Sequence, residues 1–376
     1  MKKIFILTTL YFLIQSSGNA QNIISRYLNS LLNDTVSAEK SKLSVYPTLG
    51  FAPETSWEIG LSSVYVYKAK ENPENRFSEI NGFTFYTLNN QFGAFFNHAL
   101  YTDHNEFFFL GEFKFKSFPL NYYGIGGNSP SKEIAIINGI DVLLKERMLK
   151  QIKPSFFTGL EIEFGSLSKV EIEDNEIETF EPIDRPLGLD GSTNLSLGWG
   201  FVYDNIHNVL NARDGIYSEW AFLHSNKIWG SDFTFTNFIF DNRIFRPVSE
   251  KNVFAVQLYS KIGSGDVPFN QLALMGGDNQ MRGYYLGRFR DKTMVSSQAE
   301  FRMLPFPFSK RWGGTAFLGA ATVAPKVSEL SISNLKVAGG AGLRFLLFPK
   351  KDVYARLDYA FTNEGTGVYV FIGEAF

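Results

Sequence analysis

Gln280-Met-Arg-Gly-Tyr-Tyr-Leu-Gly-Arg-Phe-Arg-Asp291 lies in a long glycine-rich loop, and Val295-Ser-Ser-Gln-Ala-Glu-Phe-Arg-Met-Leu304 follows it directly with the character of a strand. In that strand Glu300 stands between Ala299 and Phe301. The pleat therefore sends its carboxylate to one face and its apolar neighbours to the other. Gly283, beside Arg282, suits a tight turn with dihedrals that other residues avoid.

The same alternation recurs in both directions from this point. Glu112-Phe-Lys-Phe-Lys116 and Ser231-Asp-Phe-Thr-Phe-Thr236 take turns between polar and apolar, whereas Ser63-Val-Tyr-Val-Tyr67 is apolar on both faces and less diagnostic. Strands are predicted at 43–52, 56–69, 77–88, 91–101, 106–118, 132–148, 151–166, 192–204, 215–226, 229–246, 251–264, 294–304, 313–324, 336–348, 351–361 and 367–376. These are sixteen, and closed bacterial barrels have an even number. With both chain ends in the periplasm, connections after odd strands face outward, where the three longest fall: 119–131, 167–191 and 265–293. The short turn Leu88 to Gln91 is expected on the periplasmic side.

Composition agrees with an all-β, antiparallel transmembrane β-barrel. Aromatics make up 16% of the 376 residues, with 38 Phe and 17 Tyr, as aromatic girdles at two membrane interfaces require. No internal run is long and apolar enough for a helical span. A soluble β-sandwich could show similar alternation, but it does not account for aromatics alternating with polar residues over the whole length, or for an aromatic-rich last strand finishing at Phe376. Lys and Arg number 36 against 38 Asp and Glu, so no basic surface argues for nucleic acid. There is no cysteine, hence no disulfide framework.

Residues 1–20 have the order of a secretory signal peptide: Met1-Lys-Lys, an apolar run from Ile4 to Ile14, then small and polar residues to Ala20. Residues 21–42 form a short periplasmic segment ahead of the barrel at 43–376. Within it, apolar residues at 23, 24, 27, 28, 31 and 32 have helical spacing, which reads as a small helix at the barrel mouth or a tail, or alternatively as a partner-docking helix.

The ordered set of motifs resembles the BamA/TamA superfamily, the bacterial surface antigen barrels. The set comprises Arg282-Gly-Tyr284 with the following Glu300, Tyr46 to Gly60, Tyr122-Tyr-Gly-Ile-Gly-Gly-Asn128, Tyr203-Asp-Asn205 with Arg213-Asp-Gly215, Gly340-Ala-Gly-Leu-Arg344, Arg356-Leu-Asp358 and Phe371-Ile-Gly-Glu-Ala-Phe376. Five predicted strands follow the Arg-Gly-Tyr loop, as in that family. The resemblance implies an inward-folded loop 265–293 whose Arg282, with Gly283 and Tyr284, latches onto lumenal Glu300. Without the resemblance, Arg282 could equally be a solvated loop residue. It also implies a weak seam between the first and last strands. Pro47 lacks an N–H there, and Gly373 and Phe376 sit on the closing strand.

Two departures from the family stand out. The roughly 20 residues ahead of the first strand are too few for a periplasmic POTRA domain, since independent domains need about 40 or more. Phe317-Leu-Gly319 places glycine where the family commonly has an acid, so the second partner of Arg282 is expected to be missing.

Other polar groups carry less. The acids between Glu171 and Asp184 read as a solvated extracellular surface, with divalent-cation bridging to lipopolysaccharide as the sharper reading. His98, His104, His207 and His224 are scattered, and no hydrolase, metalloprotease or P-loop motif occurs. No catalytic site, cofactor or metal is expected. The implied function is that of a Gram-negative outer-membrane barrel assisting insertion or translocation of protein or lipid. Its expected partners are outer-membrane lipid, lipopolysaccharide and periplasmic or barrel proteins standing in for the missing POTRA domains. A passive porin or small-solute channel is the alternative, and a non-transporting surface barrel the third.

Overall fold

The computed structural model describes residues 42–52, 56–72, 74–117, 119–173, 186–206, 211–349 and 352–376. The expected signal peptide, the amphipathic segment at 22–32 and most of the acidic loop lie outside them. The described chain forms a closed antiparallel barrel of sixteen strands. These are β1 (Lys42–Ala52), β2 (Ser56–Lys68), β3 (Phe77–Thr87), β4 (Phe92–Tyr101), β5 (Phe107–Ser117), β7 (Ala135–Lys153), β8 (Phe156–Glu173), β9 (Ser192–Asp204), β10 (Gly215–Ser225), β11 (Phe235–Pro247), β12 (Asn252–Gly265), β15 (Thr293–Met303), β16 (Trp312–Ala324), β17 (Lys336–Phe348), β18 (Val353–Thr362) and β19 (Gly365–Ile372). A short β6 (Leu120–Tyr122) extends the pairing onto β7, and β13 (Ala273–Met275) pairs with β14 (Phe289–Asp291) inside the long loop.

The burial pattern is that of a lipid-embedded barrel. Along β9, Ser192, Asn194, Ser196 and Asp204 are buried, while Leu197, Trp199 and Phe201 stand outward and exposed. In water such a surface would be a large apolar patch, but around a barrel it is the band that faces hydrocarbon.

Three expectations need correction. The turn at 88–91 joins β3 to β4 and lies at the same end as loop 265–293: pairings Phe92 with Ser117, Ser117 with Ile140, Leu167 with Ser192, Ser196 with Ser225 and Phe235 with Gly265 carry that end round the sheet. The strand expected at 229–246 begins only at Phe235, because a helical turn at Lys227–Trp229 closes on left-handed Gly230 (φ 94°). The last strand stops at Ile372. Gly373 adopts φ 92° and donates its N–H to the Tyr354 carbonyl at 2.8 Å, which turns the chain inward.

Chain packs inside the barrel at both ends. Loop 265–293 packs Phe269 against Tyr122, Ile137 and Leu167 on one wall, and Met275, Met281 and Tyr284 against Ala321, Val323 and Ala338 on the opposite wall. At the other end Ala375 and Phe376 pack against Ile206, Phe245, Val253 and Ala255. Arg76 reaches across that mouth to Asp204 at 3.1 Å.

Candidate functional site

Loop 265–293 is held by a buried cluster of charge. β15 alternates, so Glu300 and Arg302, two residues apart, share its lumenal face. Arg356 and Asp358 share that of β18 in the same way. Arg282, at the loop's tip, pairs with Glu300 and donates from Nη1 to Asp358 Oδ2 at 2.6 Å. Arg302 Nε bonds Glu300 Oε2 at 2.7 Å, Arg344 binds Asp358 and, through Nε, Glu374 Oε2 at 2.9 Å, and Arg356 Nη2 bonds Asp278 Oδ2 at 2.7 Å. Four arginines thus meet four carboxylates. The side chains of Arg282, Glu300, Asp358, Arg302 and Arg344 are wholly inaccessible. The Arg282 guanidinium also lies 3.6 Å from the centre of the Phe317 ring. A desolvated guanidinium recovers its lost hydration only through several such contacts at once.

Gly283 has φ 105° and donates its N–H to Tyr369 Oη at 2.9 Å. The Tyr284 hydroxyl donates its proton to Asn363 Oδ1 at 2.7 Å, with the Val337 carbonyl a second acceptor within reach at 3.2 Å. Further along the loop, Arg288 grips Glu364 with Nε at 2.6 Å. Among the described residues Arg290 has no carboxylate partner. It donates to the Gly287 carbonyl and lies over the rings of Tyr122 and Phe269, and burial pulls its guanidinium down to about 10.

The expected loss of a second acid for Arg282 is not what the structure contains: Asp358 supplies it from β18. At Gly319 an added Cβ would stand 3.2 Å from Met281 Sδ, so the residue is small because the loop's methionine fills that space. Gly319→Asp is therefore expected to destabilise the barrel by about 1–3 kcal/mol through overpacking rather than strengthen the latch. A rise in the temperature at which the folded form loses its distinct gel mobility would contradict this.

The seam residues separate. Among the described residues β1 and β19 share one register pair, Phe51 opposite Val370, whereas every residue of β1 from Lys42 to Ala52 has a partner on β2. Pro47, opposite Leu61, lies four residues from that single pair. Gly373 is past the strand's end, at the inward kink. Phe376 is not on the seam, because the kink carries it into the lumen. There Arg302 Nη2 donates to its carbonyl at 3.0 Å and its ring lies 6.2 Å from that of Phe245. Of the histidines, His207 lies outside the described residues, His98 sits against Glu146 at 3.2 Å and His224 against Thr236 at 2.9 Å.

Arg302, Arg344, Arg356, Asp278 and Glu374 were not identified as part of the site. The signal available was the spacing of two between charged residues on strands, which puts Glu300 with Arg302 and Arg356 with Asp358 on the lumenal face. Asp278 and Glu374 had no such signal.

The Omp85 superfamily domain matches residues 152–376. Among solved structures, BamA from Haemophilus ducreyi lacking POTRA domains 1–3 is similar at TM-score 0.58 and 12% identity, over 89% of this chain and 70% of that one. CdiB from Escherichia coli is similar at TM-score 0.56 and 9% identity, over 92% of this chain and 68% of that one. CdiB from Acinetobacter baumannii gives TM-score 0.55 and 9% identity, over 89% of this chain and 65% of that one. At such identities the likeness is one of fold. No curated protein matches the chain.

Proposed function

The chain belongs to the Omp85 superfamily, and on that footing we propose that it is an outer-membrane barrel that assists insertion or translocation of other proteins, or of lipid, through the seam between β1 and β19. The observation that carries this reading is the single register pair of that seam among the described residues, in a barrel whose other neighbouring strands are paired along most of their length. An unpaired backbone group in hydrocarbon costs several kcal/mol, so a sheet left short of partners at one place is the place where it parts most readily. Loop 265–293 acts as a latch. Arg282 ties it to Glu300 and Asp358, strands on either side of the lumen converge on it, and it holds the interior closed at rest. Lipid and lipopolysaccharide surround the barrel, and partner proteins dock at its periplasmic mouth. No covalent chemistry is part of this reading.

The test is reconstitution of the purified protein into lipid vesicles, with folding of a separate unfolded test barrel followed over time. Faster folding than in empty vesicles supports insertion, and equal rates overturn it. The porin reading makes a different forecast. With chain packed inside both ends, wild-type protein in a planar bilayer is expected to conduct poorly, and excision of residues 277–288 is expected to raise conductance severalfold. Large steady conductance from the intact chain would favour the channel.

A further inference from the structure

Glu58 is the one element of the seam that the reading above leaves unused. It lies on the lumenal face of β2, 7% exposed, and among the described residues it has neither a hydrogen bond nor an ion pair. A carboxylate in that position is costly unless a cation is close at hand. The charge that acts on it is Asp278, from loop 265–293, and Asp278 is itself bonded to Arg356 at 2.7 Å.

Arg356, Phe371, Gly50 and Glu58 make one row across the inside of the seam. Arg356 is the register partner of Phe371, over whose ring its guanidinium lies at 5.3 Å, and Gly50 is the register partner of Glu58. The point where a Cβ on Gly50 would stand is 3.3 Å from Glu58 Oε1, 3.4 Å from the Val370 carbonyl and 3.5 Å from Phe371 Cε1. The anion and the cation therefore flank the same aromatic ring, with no side chain on Gly50 between them. Arg356 Nε is buried and unpaired.

We propose that Glu58 is a second seat for the Arg356 guanidinium, taken up when the loop withdraws Asp278, so that displacing the loop moves an ion pair onto the seam itself. With Asp278 in place, Arg356 ties the loop to β18. With Asp278 gone, the Arg356–Glu58 pair would bridge β18 to β2 and hold the seam shut from within. Loop displacement and seam opening become separate steps, the second requiring an incoming chain to break the new pair. This inference rests on the loop and seam reading above and concerns its regulation.

The chain has no cysteine, so Phe51→Cys with Val370→Cys reports seam closure through its rate of disulfide formation, with no need for any insertion activity. Glu58→Gln alone is expected to leave that rate unchanged, since the carboxylate has no partner at rest. Asp278→Asn alone is expected to leave it unchanged or raise it. Asp278→Asn with Glu58→Gln is expected to lower it severalfold, because the cation then keeps only Asp358 of its own strand, at 3.7 Å, and nothing that bridges the seam. Gly50→Ala in the Asp278→Asn background should act like Glu58→Gln by placing a methyl in the path, which gives a second route to the same result. Equal effects of Glu58→Gln in both backgrounds, or no effect in either, would overturn the exchange. Insertion activity that survives the crosslink would overturn the seam reading instead, so the two failures are distinguishable.

Discussion

Glu300→Ala is expected to be among the most damaging single substitutions in this barrel, lowering its stability by about 3–5 kcal/mol, the usual cost of removing one partner from a buried ion pair. The size follows from what the carboxylate holds. One oxygen takes Arg282 of the loop and the other takes Arg302 of its own strand, so its loss leaves two inaccessible guanidiniums short of a counter-charge. Arg282→Ala should cost less, because Glu300 keeps Arg302, and Asp358 keeps Arg344 and, at 3.7 Å, Arg356. Its chief effect is then on the loop, which should become open to trypsin at Arg288 and Arg290. An exposed pair supplies the control: Arg246 and Asp214 are 60% and 63% exposed, and Arg246→Ala should fall within the 0 to about 1 kcal/mol typical of surface pairs. The temperature at which the folded form loses its faster gel mobility measures all three. If Glu300→Ala matches the Arg246→Ala control, the cluster is not what fixes the loop.

The barrel was legible because its two determinants are local. Alternation fixes which residues of each strand face lipid, and turn residues fix where strands stop, so most predicted boundaries fall within a few residues of the observed ones. The misses have local causes as well: left-handed Gly230 delays β11, and Gly373 ends β19 early. The charge cluster was legible only in part. Arg282 and Glu300 belong to one continuous stretch, but Asp358 on β18 and Glu374 beyond the end of β19 reach the same point from 76 and more residues away from Arg282, and their convergence depends on how the closed barrel curves. Nothing around position 319 therefore points to Asp358, which comes from β18. Glu58 is a further case. Its residue type and spacing mark it as lumenal, and only the structure shows that among the described residues no cation is paired with it.

The seam gives the other large effect. A disulfide between Phe51→Cys and Val370→Cys is expected to abolish assisted folding of a test barrel while leaving the protein itself folded. Directly opposed residues of an antiparallel pair lie about 4.5–5.5 Å apart at Cα, inside the roughly 4.4–6.8 Å that a disulfide accepts. The bond is therefore expected to form without distorting either strand. It closes the place where, among the described residues, β1 and β19 already meet, and the proline at 47, which has no N–H to donate, adds nothing to the ladder that the bond would have to replace. A matched bond between Phe222→Cys and Phe238→Cys, opposed residues of the fully paired β10 and β11, should leave activity intact, because that boundary has no reason to part. Oxidised seam protein should return to the uncatalysed folding rate, and a reductant should restore it. If the oxidised seam variant still accelerates folding, clients enter by another route and the short pairing of β1 with β19 is a matter of construction alone. If both crosslinked proteins are inactive, global rigidity rather than seam opening is the property that matters.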